Sequence, residues 1–202
     1  MDIQPVTLEG RHVRLEPLDL DRHWDGLRRV GMASELWRFT AARVRDEAEL
    51  RRYLERALDE QVRGVAVPFA TIHRASGEVA GSTRFGSIVR EHRRVEIGWT
   101  WLGLAYQRTA LNTEAKYLML RNAFEVARAM RVEFKTSSSN LKSQNAMRRL
   151  GLVEEGTMRK WMFNEDGTTR DTVWFSCIDD EWPAMKARLE GMMARLEGMM
   201  AR

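Results

Sequence analysis

The sequence has little that would indicate a secreted, membrane-spanning or metal-dependent protein. Cys177 is the single cysteine among 202 residues, so no disulfide can form within the chain. No stretch approaches the ~20 apolar residues that a membrane-spanning helix needs, and the N-terminus lacks a signal-peptide pattern. The four histidines are scattered, without the paired spacing of a zinc site. We therefore expect a cytoplasmic protein in a reducing compartment, with no metal.

Several motifs that carry chemistry in other enzymes are also missing. The sequence contains neither a phosphate-binding Gly-Lys-Ser/Thr loop nor the Gly-x-Gly-x-x-Gly fingerprint of dinucleotide-binding folds. The serines at 137–139 do not lie in a Gly-x-Ser-x-Gly elbow, and no histidine follows them. These absences argue against a phosphate-loop enzyme, a dinucleotide-dependent enzyme and a serine hydrolase.

The composition is that of a globular domain with a mixed surface. Hydrophobic residues make up 44% of the chain, which is enough for one sizeable core. The 33 basic and 29 acidic residues are interspersed and leave a net charge of +4. This pattern is typical of a solvated surface rather than a nucleic-acid-binding face, although a small anionic ligand is compatible with it.

Hydrophobic periodicity predicts alternating helices and strands. The predicted order is a strand at 12–18, helices at 21–30 and 46–62, strands at 65–72, 79–89 and 95–102, a helix at 112–130, a strand at 131–136, a short helix from 143 and a hairpin of 153–163 with 169–178. Val62 is predicted to lie on the packed face of the second helix. Gly98, inside the third of the consecutive strands, predicts a bulge or a close backbone approach.

The stretch from Tyr106 to Lys116 joins a Trp-rich strand to the most regular helix. We interpret Asn112 as the N-cap, because asparagine is favoured at that position. The first amides of a helix have no partner inside it, and the helix dipole adds partial positive charge. This turn, with Arg108 beside it, is therefore predicted to hold a phosphate.

The order of elements and three local stretches resemble the GCN5-related N-acetyltransferase (GNAT) family. Residues 96–102 followed by 106–115 resemble the family's fourth strand and acyl-CoA pyrophosphate loop. Residues 140–143 and 149–156 resemble its asparagine-serine turn and the entry to its sixth strand. The pattern is most similar to the branch that acetylates ribosomal-protein N-termini and related small amines. The resemblance extends from 13 to 182.

This resemblance implies an α+β fold of three α/β/α layers, with helices on both faces of a mixed, mostly antiparallel sheet. We expect an acyltransferase domain at 1–182 and a helical tail at 183–202. In the tail Ala187–Met193 recurs as Ala194–Met200, which would align Leu189, Met192, Leu196 and Met199 in one seam. Two heptads favour a frayed tail over a dimerising helix, and both a monomer and a homodimer remain open.

The function implied is an N-acetyltransferase that moves an acetyl or other acyl group from acyl-CoA to a primary amine by direct attack on the thioester. The acceptor is a small molecule or a peptide N-terminus, with no nucleic-acid or membrane partner. Two alternatives stay open, namely a non-catalytic binding or assembly module of the same fold and an enzyme that uses a different acyl donor.

The resemblance also implies roles for individual residues. Backbone amides near Gly98 and Trp99 would polarise the carbonyl. Glu96 would accept the amine's proton through water, or else fix the sheet or bind substrate. Many family members protonate the leaving thiol with a tyrosine, but Met147 stands at that position and cannot donate a proton. Members of the ribosomal-protein branch carry a serine at this turn, so the resemblance implies this role for Ser143, beside a structural one as an N-cap.

The remaining predicted contacts surround these residues. Those to the acyl donor are Gly98, Trp99, Thr100, Gln107, Arg108, Thr109, Ala110, Leu111, Asn112, Thr113, Asn140 and Ser143. Those to the acceptor are Trp37, Phe39, Arg84, Glu96 and Trp161. The family's loop usually has glycine where Ala110 and Asn112 stand here, so the methyl group of Ala110 is expected to lie near the ligand. Phosphate contacts or ordinary surface positions are expected of Arg108, Lys116, Arg148 and Arg149.

Overall fold

The structure, a computed structural model, describes residues 1–200, except the side chains of 197, 199 and 200. Its strands are β1 Leu8–Glu9, β2 Val13–Pro17, β3 Val67–His73, β4 Glu78–Val89, β5 Arg94–Leu102, β6 Arg131–Ser137, β7 Val153–Phe163 and β8 Thr169–Ile178. Its α-helices are α1 Leu20–Gly31, α2 Glu47–Val62, α3 Ala110–Arg121, α4 Leu141–Leu150 and α5 Trp182–Met200.

The strands form one sheet in the order β1-β2-β3-β4-β5-β6-β8-β7. Every neighbouring pair is antiparallel except β5 and β6, which the α3 crossover makes parallel. One core, which includes Leu27 and Leu54, lies under α1 and α2. The other core includes Leu118 of α3 and Leu150 of α4. The predicted α+β architecture, with helices on both faces of the sheet, is confirmed.

The start of α3 differs from the prediction. Thr109 is extended, with φ −107° and ψ −178°, and its side chain accepts a hydrogen bond from the amide of Leu111 at 3.3 Å. Just before it, Arg108 reverses the chain with a φ of 61°. The prediction of Asn112 as the N-cap is therefore wrong, because Thr109 caps the helix from the earlier turn. Ala110 is the first helical residue and needs none of the conformational freedom of glycine.

Helix ends account for two other differences. Val62, predicted to pack, is the last residue of α2 and is 87% exposed. The helix predicted to reach 130 is α-helical only to Arg121 and continues as a π-helical turn over Asn122–Val126. The strands of the last hairpin run as predicted, from Val153 to Phe163 and from Thr169 to Ile178. Within residues 1–200, no helix has both the length and the apolarity needed to cross a membrane.

The first half of α5 packs onto the α3 layer. Met185 and Leu189 are buried in that core, and the hydroxyl of Tyr117 donates to Glu190 at 2.8 Å. Met192 is partly buried against the same core. The side chain of Met199, in the predicted seam, lies outside what the structure describes, as do residues 201–202. The division at residue 182 stays a prediction.

A buried carboxylate fastens α3 to the N-terminal strands. Glu114, 6% exposed, accepts hydrogen bonds from the backbone amides of Arg11, His12 and Val13 at 2.7, 2.7 and 2.8 Å. Gly10 permits this approach, since a Cβ there would lie 2.4 Å from the carboxyl carbon. The carboxylate thereby pairs the amides of the β1–β2 turn and fixes the start of α3 against the sheet edge.

We predict that Glu114→Ala lowers the free energy of unfolding by about 2–4 kcal/mol, because three backbone amides, that of Val13 buried, lose a charged acceptor. Urea titrations followed by circular dichroism measure this change. Glu154→Ala is the matched control, because it removes only the exposed pair with Arg148 and should change stability by less than about 1 kcal/mol. Equal effects of the two substitutions would contradict the assignment.

Candidate active site

The parallel pairing of β5 with β6 is short. Only Arg94–Glu96 and Arg131–Glu133 are paired, although both strands continue beyond these residues. From Ile97 in β5 and Phe134 in β6 onward, the two strands no longer pair with each other. Backbone donors and acceptors on those edges are therefore available to an extended polar ligand inserted between them.

A bulge in β5 lies at the beginning of this separation. Ser82 pairs with Trp101 and Arg84 with Gly98, so Trp99 and Thr100 together stand opposite one residue of β4. Trp99 has a φ of 50°, which is in the left-handed region. The predicted bulge is confirmed at this point. Such bulges re-aim backbone amides, which makes this one a candidate donor to a substrate carbonyl.

Glu96 lies three residues before Trp99 of the bulge and is 4% exposed. Its Oε2 is 2.7 Å from Nζ of Lys135 and accepts a hydrogen bond from Oγ of Ser87 at 3.0 Å. Its Oε1 faces Gly98, where a Cβ would lie 3.0 Å away. Within residues 1–200, Oε1 has no hydrogen-bond partner. One oxygen thus holds the carboxylate in place while the other faces the bulge.

The predicted pyrophosphate loop and the turn before α4 lie together. Nζ of Lys142 donates to Oε1 of Gln107, whose Nε2 donates to the carbonyl of Leu102 at 2.9 Å. A second contact joins Arg149 to Oγ1 of Thr113 at 3.4 Å. The structure therefore brings the donor-binding residues predicted at 107–113 next to those at 140–143. Lys142 was missed, because nothing in its local pattern marks it.

The turn before α4 is capped differently from the prediction. Oδ1 of Asn140 accepts from the backbone amide of Ser143 at 3.2 Å, so Asn140 and not Ser143 is the N-cap. The half-buried hydroxyl of Ser143 makes no hydrogen bond within residues 1–200. Met147 is buried in the core, as its apolar side chain dictates. Glu96 and Ser143 lie on β5 and α4 and do not contact each other directly.

Three cations lie near the start of α3 without a carboxylate partner among the described residues, namely Arg108, Lys142 and Arg149. Arg148, also considered for phosphate contacts, pairs with Glu154 at 2.6 Å. Unpaired cations beside helix N-terminal amides that lack a partner within the helix favour the binding of an anion. This end of α3 therefore combines positive charge with unpaired helix amides.

The aromatic residues predicted for the acceptor are divided between core and surface. Trp37 is buried in the α1–α2 core, where its indole donates to the carbonyl of Gly31 at 2.8 Å, so it lies away from open space. Trp161 is half-exposed and meets Trp174 edge to face, with ring centroids 5.3 Å apart. Phe39 borders a cavity between the early turns and β8.

Arg84 is buried as well. Its guanidinium pairs with Glu60 at 2.8 Å and lies 4.8 Å from the centre of the Trp99 ring. Trp99 in turn covers Gly86, where a Cβ would be 2.3 Å from the ring. Arg84 therefore supports the bulge from the α2 side.

Comparison with known proteins decides the family. The model of the acetyltransferase (GNAT) domain matches residues 12–153. The chain belongs to this family. The predicted fold, family and enzyme class are confirmed, since this is a GNAT acetyltransferase with the sheet, bulge and crossover described above.

Individual relatives agree with this assignment. A GCN5-related N-acetyltransferase from Brucella melitensis has 32% identity and a TM-score of 0.88, over 95% of this chain and 86% of its own. The "putative acetyltransferase" of T. thermophilus has 41% identity and a TM-score of 0.86, over 95% of this chain and 99% of its own.

A curated relative, "Putative ribosomal N-acetyltransferase YdaF" of Bacillus subtilis, is 27% identical over 110 residues. That match covers 54% of this chain and 59% of the relative's length.

One cation of this GNAT acetyltransferase lies where the sequence did not predict it. Lys116, in α3, is 6% exposed, and its Nζ donates to Oγ1 of Thr100 at 2.6 Å. Oγ1 of Thr83 lies 2.7 Å from that of Thr100 and 3.4 Å from the same Nζ. Lys116 thus contacts the bulge from the α3 side of the sheet and is not a surface residue. Burial lowers the pKa of Lys116 to about 7.

The lowered pKa of Lys116 predicts a pH-dependent stability. An unfolded lysine titrates near pH ~10.4, so above pH ~7 the unfolded chain binds more protons than the folded one. The free energy of unfolding should therefore rise with pH, by about 2 kcal/mol between pH ~7 and ~9 from this group. Lys116→Met should lack this contribution, so the free energy of unfolding of the wild type should increase relative to that of the variant as the pH rises.

Urea titrations across this pH range, followed by tryptophan fluorescence, measure the effect. Lys142→Met makes the same chemical change at an exposed position and should follow the wild-type pH dependence. Parallel curves for Lys116→Met and the wild type would show that Lys116 titrates as an ordinary lysine.

Proposed function

We propose that this protein acetylates a primary amine, on a small molecule or a peptide N-terminus, with acetyl-CoA as the acyl donor. The observation that carries the proposal is the bulge at Trp99, placed where β5 and β6 separate and beside the open oxygen of Glu96. The family uses acetyl-CoA, and one curated relative is named as a ribosomal N-acetyltransferase, which supports the peptide acceptor.

The donor would be held at two places. The unpaired amides at the start of α3, with Arg108, Lys142 and Arg149, suit the phosphates. The unpaired edges of β5 and β6 suit the amide groups of the pantetheine arm, which can hydrogen-bond like a short strand. This division places the thioester near the bulge.

The chain's own groups can then divide the chemistry. The backbone amides at the bulge polarise the thioester carbonyl, as preorganised donors do in other acyl transfers. Oε1 of Glu96 accepts the amine's proton through water, while Lys135 holds the carboxylate. The amine nitrogen bonds to the carbonyl carbon, the carbon–sulfur bond breaks, and the free hydroxyl of Ser143 supplies a proton to the thiolate and regains one from solvent. Cytoplasmic location remains part of this proposal.

The second candidate is a non-catalytic module that binds an acyl-CoA or a partner. The observation that favours it is Met147, which is buried in the core and leaves no tyrosine acid at that position. Turnover distinguishes the two candidates, because both allow the donor to bind.

We predict that isothermal titration calorimetry detects acetyl-CoA binding and that a free-thiol release assay detects turnover with amines. Glu96→Gln and Ser143→Ala should each reduce kcat by at least about 100-fold, while leaving the dissociation constant of acetyl-CoA within about threefold. Glu154→Gln, an exposed carboxylate, is the control. Binding without turnover would favour the non-catalytic module, and no binding of acetyl-CoA would exclude the proposed acetyl transfer.

A second prediction concerns the loop. Ala110→Gly should preserve or tighten acetyl-CoA binding, because it removes a methyl group near the proposed phosphate position without requiring a new backbone conformation. Ala110→Val, which enlarges the side chain, should weaken binding. Calorimetry compares the two variants, and a clear loss of affinity in Ala110→Gly would mean that this loop holds something else.

A further inference from the structure

The sheet face that carries Glu96 also carries a row of polar side chains on β8. Residues two apart on a strand point to the same face, and Trp174 stands opposite Lys135, the partner of Glu96. Arg170, Thr172 and Trp174 therefore share the face of Glu96. One buried polar atom of each of these three, Nε, Oγ1 and Nε1 respectively, has no hydrogen-bond partner within the described residues. Since buried polar atoms are normally paired, these three leave hydrogen-bonding capacity unused on the face of Glu96.

A cavity lies at the Arg170 end of the row. Its volume is about 430 Å³, within the ~300–1,000 Å³ typical of small-molecule sites. Its walls include Arg38, Phe39 and Arg43 from the turns after α1, the serines at 137–139 from the end of β6, and Arg170 from β8. The cavity is thus bounded by the same face that holds the proposed catalytic carboxylate.

Two of the three arginines in the cavity wall lack a counterion. Arg43 pairs with Asp166 at 2.6 Å. Arg38 lies over the ring of Phe39, and Arg170 donates to the carbonyl of Phe39 at 3.2 Å. Neither Arg38 nor Arg170 has a carboxylate within ion-pair distance in residues 1–200. An anion in the cavity would find two guanidinium groups available.

The carboxylates nearby do not fill this need. Asp171, the carboxylate in the cavity wall, accepts from the backbone amide of Lys160 at 2.7 Å. Burial lowers the pKa of Arg170, and the charge of Glu96 only partly opposes that effect. A partly buried charge without an ionic partner is unfavourable, so a bound anion would compensate Arg170.

We propose that the amine acceptor carries an anionic group, a carboxylate or a phosphate, which Arg170 and Arg38 bind while its amine faces Glu96. The role of the amine as acetyl acceptor rests on the proposed function. The anion site rests independently on the cavity and on the arginines that lack a counterion. The chemistry favours a small amino acid or an amino phosphate over a neutral amine or a polyamine.

Binding measured without acyl-CoA tests the anion site by itself. Calorimetry compares β-alanine with β-alaninamide, and phosphoethanolamine with ethanolamine, so that each pair differs in the anionic group. In at least one pair the anionic member should bind about tenfold more tightly or better, and the pair with the larger ratio identifies the anion. Arg170→Gln should reduce that ratio to below about threefold, whereas Arg170→Lys should keep part of it.

Arg148→Gln, outside the cavity, is the matched control and should retain the wild-type ratio. Circular dichroism and urea midpoints establish that each variant is folded. Equal binding of charged and neutral members, no binding of either anionic member, or an unchanged ratio in Arg170→Gln would each overturn the anion site. Anion-selective binding with no acetylation of any amine would instead count against the proposed function, and turnover of neutral amines without anion selectivity would count against the site alone.

Discussion

The short parallel ladder between β5 and β6 is the constraint on which the rest of the structure depends. Three paired residues on each strand join the two halves of the sheet, and the strands then separate. A longer ladder would satisfy more backbone groups and leave no polar edge for a ligand. The crossover through α3 makes the pairing parallel and also places the N-terminus of α3 beside the separation. Fold and site therefore share one cause.

Helix α3 supports this arrangement through two buried ionisable side chains. Glu114 fastens the helix to the turn between β1 and β2, and Lys116 reaches the bulge through Thr100. Residues two apart do not share a helix face, so the two contacts fix the helix about its axis as well as along it. The positions of the free amides at Ala110 and of the bulge at Trp99 are thereby linked through one rigid element.

Features set by neighbouring residues could be predicted from the sequence. The alternation of apolar and polar residues around an Asp-Gly turn predicts the last hairpin, and Gly98 within a strand predicts the bulge. The motifs at 96–115 and 140–156 indicate the family. The N-caps were misplaced by a few residues because Thr109 and Asn140 are as suitable as Asn112 and Ser143. Local pattern does not choose between adjacent good caps.

The charged groups of the site could not be predicted, because their surroundings come from distant parts of the chain. Lys116 has the spacing of a surface lysine, and only the packing of α3 on β4 and β5 buries it. Arg170 follows an ordinary hairpin turn, and its cavity exists because the turn holding Arg38 and Phe39 meets β8. Trp37 is an aromatic residue of the kind that often lines a ligand pocket, but here its side chain packs into a core. Burial and pairing of this kind depend on tertiary contacts rather than on local propensity.

The two faces of the sheet differ in how their buried polar groups are paired. On the α3 face, Glu114 binds three amides and Lys116 binds two threonine hydroxyls, so the buried polar groups there are largely paired within the protein. On the opposite face, Arg170, Thr172 and Trp174 keep buried polar atoms unpaired. A sequence selected only for stability would replace such a row with apolar side chains. Its presence on the face of Glu96, with Arg170 at the cavity, is consistent with the anion-binding role proposed for that arginine.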